Sequence, residues 1–207
     1  GAVAEEIGGA FTKHDVTVEQ EWVDAVAFAK ARFGGLDILV NNAGVFWVAP
    51  LLQTDLEKFR RMQAVNVDGV FLGMKHAVPA IAERAQQWDG GGAIINLSSV
   101  AGLKGSPGVV AYNASKGAVR LMTKSIALDG RPYNIVCGQI DIGNAATEMT
   151  ERRTGGVPQA NGTLMVEPRM DADAVAKAIV YMDSLPLEAN VLFLTVMASK
   201  MPYVGRG

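Results

Sequence analysis

Two hydrophobic periods alternate along this chain: short apolar runs of strand length, and longer stretches in which apolar residues return at helical spacing. Residues 2–7 read as the last turns of a helix, with Gly8-Gly9 as its stop signal. Residues 10–16 read as a strand. Thr17 with Gln20 forms a capping box. Trp22, Val26, Ala29 and Phe33 then carry an amphipathic helix as far as Gly34-Gly35. Residues 36–40, apolar apart from Asp37, have the pattern of a strand buried on both faces.

The alternation continues. A capping box at Thr54 and Glu57 opens a long helix to about residue 86, and Gly90-Gly91-Gly92 turns into an apolar strand over 93–97. A helical pattern starts at Ala111, Gly130 and Pro132 make a turn, and residues 133–140 read as a further strand. Residues 141–170 are irregular; Asp171 caps a helix to about Ser184, and residues 190–196 form the last strand. Strands alternating with helices in this way predict an α/β, doubly wound parallel sheet covered on both faces. Ligands bind such sheets beyond the carboxyl ends of the strands. Those ends carry Asp15, Asn41-Asn42-Ala43-Gly44, Ser99 and the segment after Ile140, so the chemically suggestive residues converge on one rim.

Composition narrows the reading. A chain of 207 residues with 49% hydrophobic content fits a single compact domain, 1–207. A formal charge of −2 with scattered cations gives no footprint for nucleic acid or a membrane surface. The apolar runs fall short of the roughly 20 residues a membrane span needs, and no signal peptide is visible at the start. The single Cys137 has no internal disulfide partner, which fits a cytoplasmic protein. The two histidines, His14 and His76, stand far apart without metal-ligand spacing, so no metal is expected. His14 reads as a satisfied polar residue, and Trp22 and Trp88 as structural.

Tyr112 and Lys116 lie four apart at a helix start, on one face, with Cβ atoms roughly 5–6 Å apart. Ser99, thirteen residues before Tyr112, ends the preceding strand. A hydroxyl, a phenol and an amine suit proton transfer at a carbonyl oxygen. A free tyrosine has a pKa of about 10, and a nearby ammonium favours the phenolate. Bringing that value near neutrality takes roughly 4 kcal/mol, more than one partly exposed lysine supplies. Ser99 suits holding the substrate oxygen by a hydrogen bond.

Asn41-Asn42-Ala43-Gly44, Asn66, Ser99 and Tyr112-x-x-x-Lys116 together resemble the short-chain dehydrogenase/reductase family, from the Asp15-Val16 pair to Thr147. The resemblance implies a Rossmann-like, three-layer NAD(P)-binding domain. It makes Tyr112 the general acid/base, with Lys116 binding the nicotinamide ribose and lowering the tyrosine pKa. Ser99 orients the substrate, and Asn66 holds a water that links Lys116 to solvent; its blander role is to satisfy backbone groups within the long helix. For the cofactor it implies Asp15 and Val16 beside the adenine, Asn42, Ala43 and Gly44 along the adenosine half, and Val65 nearby. Ile142 and Gly143 pass the nicotinamide, and Thr147 bonds its carboxamide or a phosphate. A positively charged nicotinamide would add to the effect of Lys116.

The family pattern is broken twice. Its glycine-rich phosphate loop, part of a βαβ unit of roughly 30 residues, is not found, so the first βαβ unit is expected to be missing from this chain, leaving the domain N-terminally incomplete. Gly90-Gly91-Gly92 precedes a strand and is no substitute. The residues that discriminate NAD from NADP would lie in that unit, so either cofactor fits. Locally, Ile142 stands where the family often has proline, which removes a stiffener. The expected activity is interconversion of a secondary alcohol and a ketone; the alternatives are an epimerase or dehydratase of related type, or a non-catalytic nucleotide-sensing or interaction protein. Residues 148–165 are long enough for a lid, and Phe46, Trp47, Val109, Leu164 and Met165 are candidates for an apolar substrate wall. Expected partners are a small alcohol or ketone and, through the two long helices, a second copy in a homodimer or homotetramer. The tail, 197–207, is apolar enough to pack at an interface or close the pocket.

Overall fold

The computed structural model describes residues 1–87, 90–151, 155–159 and 162–203. Trp88, residues 152–154 and 160–161 of the expected lid, and the last four residues of the tail lie outside that set. The elements run α1 (Ala2–Glu6), α2 (Glu19–Phe33), β1 (Ile38–Asn41), α3 (Leu56–Gln63), α4 (Gly69–Ala85), β2 (Gly92–Ser99), α5 (Val110–Asp129) and β3 (Ile135–Gly143). They continue through β4 (Ala145–Ala146), α6 (Glu148–Glu151), β5 (Val157–Pro158), β6 (Leu164–Met165), β7 (Met170–Asp171), α7 (Asp173–Asp183) and β8 (Phe193–Met197).

The main sheet is parallel, in the order β1-β2-β3-β8. Alternate residues of each strand face opposite layers. On one face Ile94, Ile135 and Cys137 pack with Val70, Met74, Ala77 and Ile81 of α4 and Val119 of α5. On the other, Ile95 and Ile140 pack with Met182, Ala178 and Ile179 of α7. Helices on both faces of a parallel sheet make the expected Rossmann-like, doubly wound arrangement. No helix among the described residues is long and apolar enough to cross a membrane.

Several local expectations are corrected. Residues 10–15 carry no strand, because no neighbouring strand is hydrogen-bonded to them. The run over 36–40 is not buried on both faces: Leu39 packs into the α4 side, whereas Ile38 and Val40 are 37% and 38% exposed. The helix on the opposite face, α7, packs against β3 and β8 and leaves that flank of β1 uncovered.

Neither capping box forms as read. Thr17 turns back to Asp15, whose Oδ1 accepts from the Thr17 amide (2.9 Å) and hydroxyl (2.8 Å), and Val18 caps α2 without a side-chain bond. At α3 the cap is Asp55, accepting from Glu57 N at 2.7 Å, while Thr54 donates to Pro50 O. A carboxylate placed next to the first helical residue is the better acceptor for those amides. The strand over 133–140 is shifted: residues 131–133 form a short 3-10 turn and β3 runs on to Gly143, so part of the expected irregular segment is strand. The rest of it contains two-residue strand pairs, β4 with β7 and β5 with β6.

Trp22 is buried at 8% exposure and donates to Val16 O. His14 departs from expectation: its Nε2 is buried without a hydrogen-bond partner among the described residues. Its ring instead meets Trp22 edge-on at 4.2 Å, since the indole N–H is already spent on Val16.

Candidate active site

Ser99 ends β2 and turns the chain: its Oγ accepts from Ala101 N at 3.1 Å, opening a short 3-10 turn over Val100–Gly102. Gly102 lets that turn lie on α5, because a Cβ there would come within 2.9 Å of the Lys116 backbone. Tyr112 stands in the first turn of α5 and Lys116 one turn later, so both point back over the end of β2.

Lys116 is not partly exposed. It is 6% exposed, and its Nζ reaches under the Tyr112 ring, 5.6 Å from the centroid, to donate to Leu97 O at 3.1 Å. Close packing of α5 on the sheet leaves the amine little contact with bulk water. Burial lowers its pKa to about 8, opposed by the charge of Asp141. Phe46 meets the Tyr112 ring edge-on at 4.8 Å and fixes the phenol from the other side.

Asn66 sits in a five-residue π turn, Ala64–Asp68, that joins α3 to α4, a wider turn that re-aims one side chain inward. Its groups do not serve their own helix. Oδ1 accepts from Val45 N (2.8 Å), and Nδ2 donates to Val45 O (3.0 Å) and Ser115 Oγ (3.1 Å). Ser115 in turn donates to Tyr112 O at 2.8 Å. One fully buried amide therefore pins the loop after Gly44 to the helix that carries Tyr112.

The α5-facing side of the sheet changes character toward the strand ends. Ile94 and Cys137 give way to Asn96 and Gln139, then to Ser98 and Asp141, in matching register. Asn41 donates to Asn96 (2.8 Å), Asn96 to Thr123 (3.0 Å), and Thr123 lies 3.1 Å from Gln139 Oε1. Gln139 donates to Asp141 Oδ1 (2.6 Å) and Arg120 to Asp141 Oδ2 (2.9 Å). Sequence reasoning missed this ladder. Its signal was present as polar residues two apart, Asn96 with Ser98 and Gln139 with Asp141, inside otherwise apolar strands.

Beyond the strand ends lies a cavity of about 1140 Å³. Asn42, Gly44, Ser99, Tyr112, Lys116, Ile142 and Thr147 all line it, with Phe46, Trp47 and Val109 as apolar wall. A Cβ on Gly44 would stand 3.5 Å from Asn66 Oδ1 and 3.9 Å from Lys116 Nζ, so the missing side chain is what leaves room beside the amine. The remaining predicted residues do not line the cavity. Val65 and Asn66 are buried behind it in the π turn, and Gly143 packs against Met197 and Met201. Ala43 lies in the loop between two lining residues. Val16 rests on Gly69 at the start of α4, and Asp15 is solvent-exposed, its carboxyl held below the usual range by the Thr17 amide and then the Thr17 hydroxyl. Leu164, 70% exposed, and Met165 are not wall residues either.

Comparisons with known proteins identify the family. A family model described as short chain dehydrogenase matches residues 2–156. The trans-4-hydroxycyclohexanecarboxylate dehydrogenase of Sinomonas cyclohexanicum is 42% identical over 151 residues, 72% of this chain and 56% of that protein. The cyclopentanol dehydrogenase of Comamonas sp. (strain NCIMB 9872) is 42% identical over 142 residues, 69% of this chain and 55% of that protein. The chain thus spans a little over half the length of these curated relatives. Among solved structures, one described as ElxO with NADP bound superposes with a TM-score of 0.80 at 26% identity, covering 94% of this chain and 79% of that one.

Proposed function

The chain belongs to the short-chain dehydrogenase family, and from that premise we propose that it serves an NAD(P)-dependent oxidoreductase that interconverts a cyclic secondary alcohol and its ketone. The observation that carries the reading is that Ser99, Tyr112 and Lys116 line one cavity, with the lysine amine buried beneath the tyrosine ring. The relatives named for cyclohexane- and cyclopentane-based alcohols support the substrate class, as does the apolar wall of Phe46, Trp47 and Val109.

The cavity suits a nicotinamide cofactor on its own terms: the open space at Gly44 adjoins the Lys116 amine, and Asn42, Ile142 and Thr147 stand along the same rim. In this reading Asn42 and Gly44 hold the adenosine side, with Ala43 and Val65 supporting it. Lys116 holds the ribose, and Ile142, Gly143 and Thr147 hold the nicotinamide. Asp15 and Val16 remain candidates for the adenine at the outer end of the site. Hydride transfer is the chemistry such a cofactor supplies when bound.

The chain's own residues do the rest. Ser99 and Tyr112 hydrogen-bond the substrate oxygen; the Tyr112 phenol gives up or takes its proton. The Lys116 charge stabilises the negative charge that develops on the phenol oxygen. Asn66 secures the loop behind Gly44 and supports the proton path from Lys116. Apolar walls exclude water and favour a substrate without polar substituents near the reacting carbon. Phe71 on α4 and Leu121 and Leu128 on α5 are exposed, which supports pairing of two copies through those helices.

The test is a screen of cyclic alcohols and ketones with the full-length protein and both cofactors, read by the change in nicotinamide absorbance. Turnover of cyclopentanol- or cyclohexanol-type substrates with one cofactor is expected. Cofactor binding seen by fluorescence, with no turnover of any alcohol or ketone, would sink the oxidoreductase reading.

A further inference from the structure

The reaction outlined above makes no use of one buried carboxylate that faces its lysine. Asp141 is 1% exposed near the end of β3, on the same face of the sheet as α5. Lys116 and Arg120 lie one helical turn apart on α5. Arg120 Nη1 meets Asp141 Oδ2 at 2.9 Å, and its guanidinium lies 3.7 Å over the Phe193 ring, which fixes it in place. Gln139 Nε2 holds the other oxygen at 2.6 Å. Lys116 donates to Leu97 O, the peptide carbonyl immediately before Ser98, and Ser98 is the residue in register with Asp141 on the neighbouring strand. The carboxylate and the amine therefore lie on the same α5-covered face of the sheet, at neighbouring positions of β2 and β3, in a water-poor layer where opposite charges act strongly.

Resting on the reading of Lys116 given above, we propose that Asp141, clamped by Arg120 and Gln139, is a positioning residue that keeps the Lys116 amine charged inside the site. Burial alone drives both groups toward their neutral forms: it pushes the Asp141 carboxyl up and brings Lys116 down. The Gln139 amide, Arg120 and Lys116 pull the carboxyl back toward ionisation, and the carboxylate does the same for the amine. Of the other acidic side chains, the Tyr112 phenol packs over the Lys116 amine, and Glu148 and Glu167 line the same cavity without being among the charges that act on it. From α5 come Arg120 and, 5.9 Å from the Phe193 ring, Lys124. Ser98 and Asn96 on β2, Phe193 and Thr195 on β8, and Asn66 in the π turn are uncharged. Among the described residues Asp141 is the carboxylate acting on Lys116. Arg120 has a matching purpose: without it a buried Asp141 would take up a proton and cease to support the lysine.

The experiment is a titration of the cofactor-free protein labelled with [13Cε]lysine, with the Lys116 resonance identified by its loss in Lys116→Met. In the wild type it is expected to titrate near pH 8. Asp141→Asn, nearly the same shape, is expected to lower that midpoint by about one pH unit or more, the usual effect of losing a close opposite charge. Asp141→Asn with Arg120→Gln leaves no unpaired guanidinium to threaten folding and is expected to move the midpoint in the same direction. Arg120→Lys, which keeps a cation on the carboxylate, is expected to keep the wild-type midpoint. An Asp141→Asn midpoint within about 0.3 of wild type in a protein of unchanged circular dichroism overturns the proposal. Activity then separates this inference from the one beneath it. If the midpoint falls and the alkaline limb of the kcat profile falls with it, both readings hold. A fallen midpoint with an unmoved limb upholds the Asp141–Lys116 pairing and removes Lys116 from turnover.

Discussion

At the floor of the cavity, Asn66, Ser115, Lys116 and Asp141 are buried and each is engaged by a partner on another segment of chain or on its own helix. At its mouth, the described residues between 144 and 171 pair through strands of two residues and leave Leu164 and Val166 70% and 63% exposed. The floor is built from long elements, β2, β3 and α5, whose side chains are held from several directions. The mouth draws on a segment whose described residues are held by short strand pairs and local side-chain bonds, the features of a region less stable than the floor. The difference assigns tasks. Acid–base groups need fixed geometry, which the floor supplies, whereas admitting and releasing a substrate needs a segment that opens at little cost.

Four substitutions separate floor from mouth. The largest effect is expected at Tyr112→Phe, which keeps the ring against Phe46 but removes the transferable proton. Turnover should fall by roughly 10²- to 10⁴-fold while cofactor binding by fluorescence titration is unchanged. Retained turnover would remove Tyr112 from the acid–base role. Asn66→Ala comes next. It leaves Val45 N and Val45 O without their partner in a half-buried loop and removes one of the two bonds of Ser115 Oγ, and urea unfolding should show a loss of roughly 2 kcal/mol; a loss below about 0.5 would mean that the π turn needs no such anchor.

Lys116→Met should act in the opposite direction on stability. Lys116 carries a folded pKa lowered to about 8, below its unfolded value of 10.5. The unfolded chain therefore binds the extra proton between those values, so the wild-type protein gains stability from this group as pH rises from about 8 to 10.5. Below about pH 8 the penalty is fully present, and the methionine variant should be more stable at pH 7 by about 2 kcal/mol, after allowing for the lost bond to Leu97 O. That advantage should shrink toward pH 10.5. Equal stability at pH 7 would show that the amine is better solvated than its burial implies. The smallest effect is expected at the mouth: Met149→Ala, at a half-exposed lining residue, should change stability by less than about 0.5 kcal/mol and KM for an apolar alcohol severalfold, with kcat little altered.

How much of this was legible in the chain varies with the range of the interaction. The long helices and the central strands were readable because their apolar spacing is a local property. Caps were misread by one or two residues, since Thr17, Thr54, Asp15 and Asp55 all offer an acceptor and only the backbone path selects among them. Residues 10–16 looked like a strand because strand pattern is local while strand pairing is not. Ser99, Tyr112 and Lys116 were legible as a group. The Asp141–Arg120 pair was not, as its members lie 21 positions apart and each alone resembles an ordinary surface charge.

By itself, then, the amino-acid sequence determined the alternation of strand and helix, hence a parallel sheet with its chemistry at one rim, and the (i, i+4) placement of Tyr112 and Lys116 on one helix face. Both follow from backbone periodicity, which acts over a few residues. Only the tertiary structure decided that Lys116 is buried, that Asn66 serves Val45 and Ser115 rather than its own helix, that Asp141 is buried against Arg120, and that one flank of β1 stays open. Solvent exclusion and the pairing of distant groups depend on which segments come to lie together, and local sequence spacing carries no record of that.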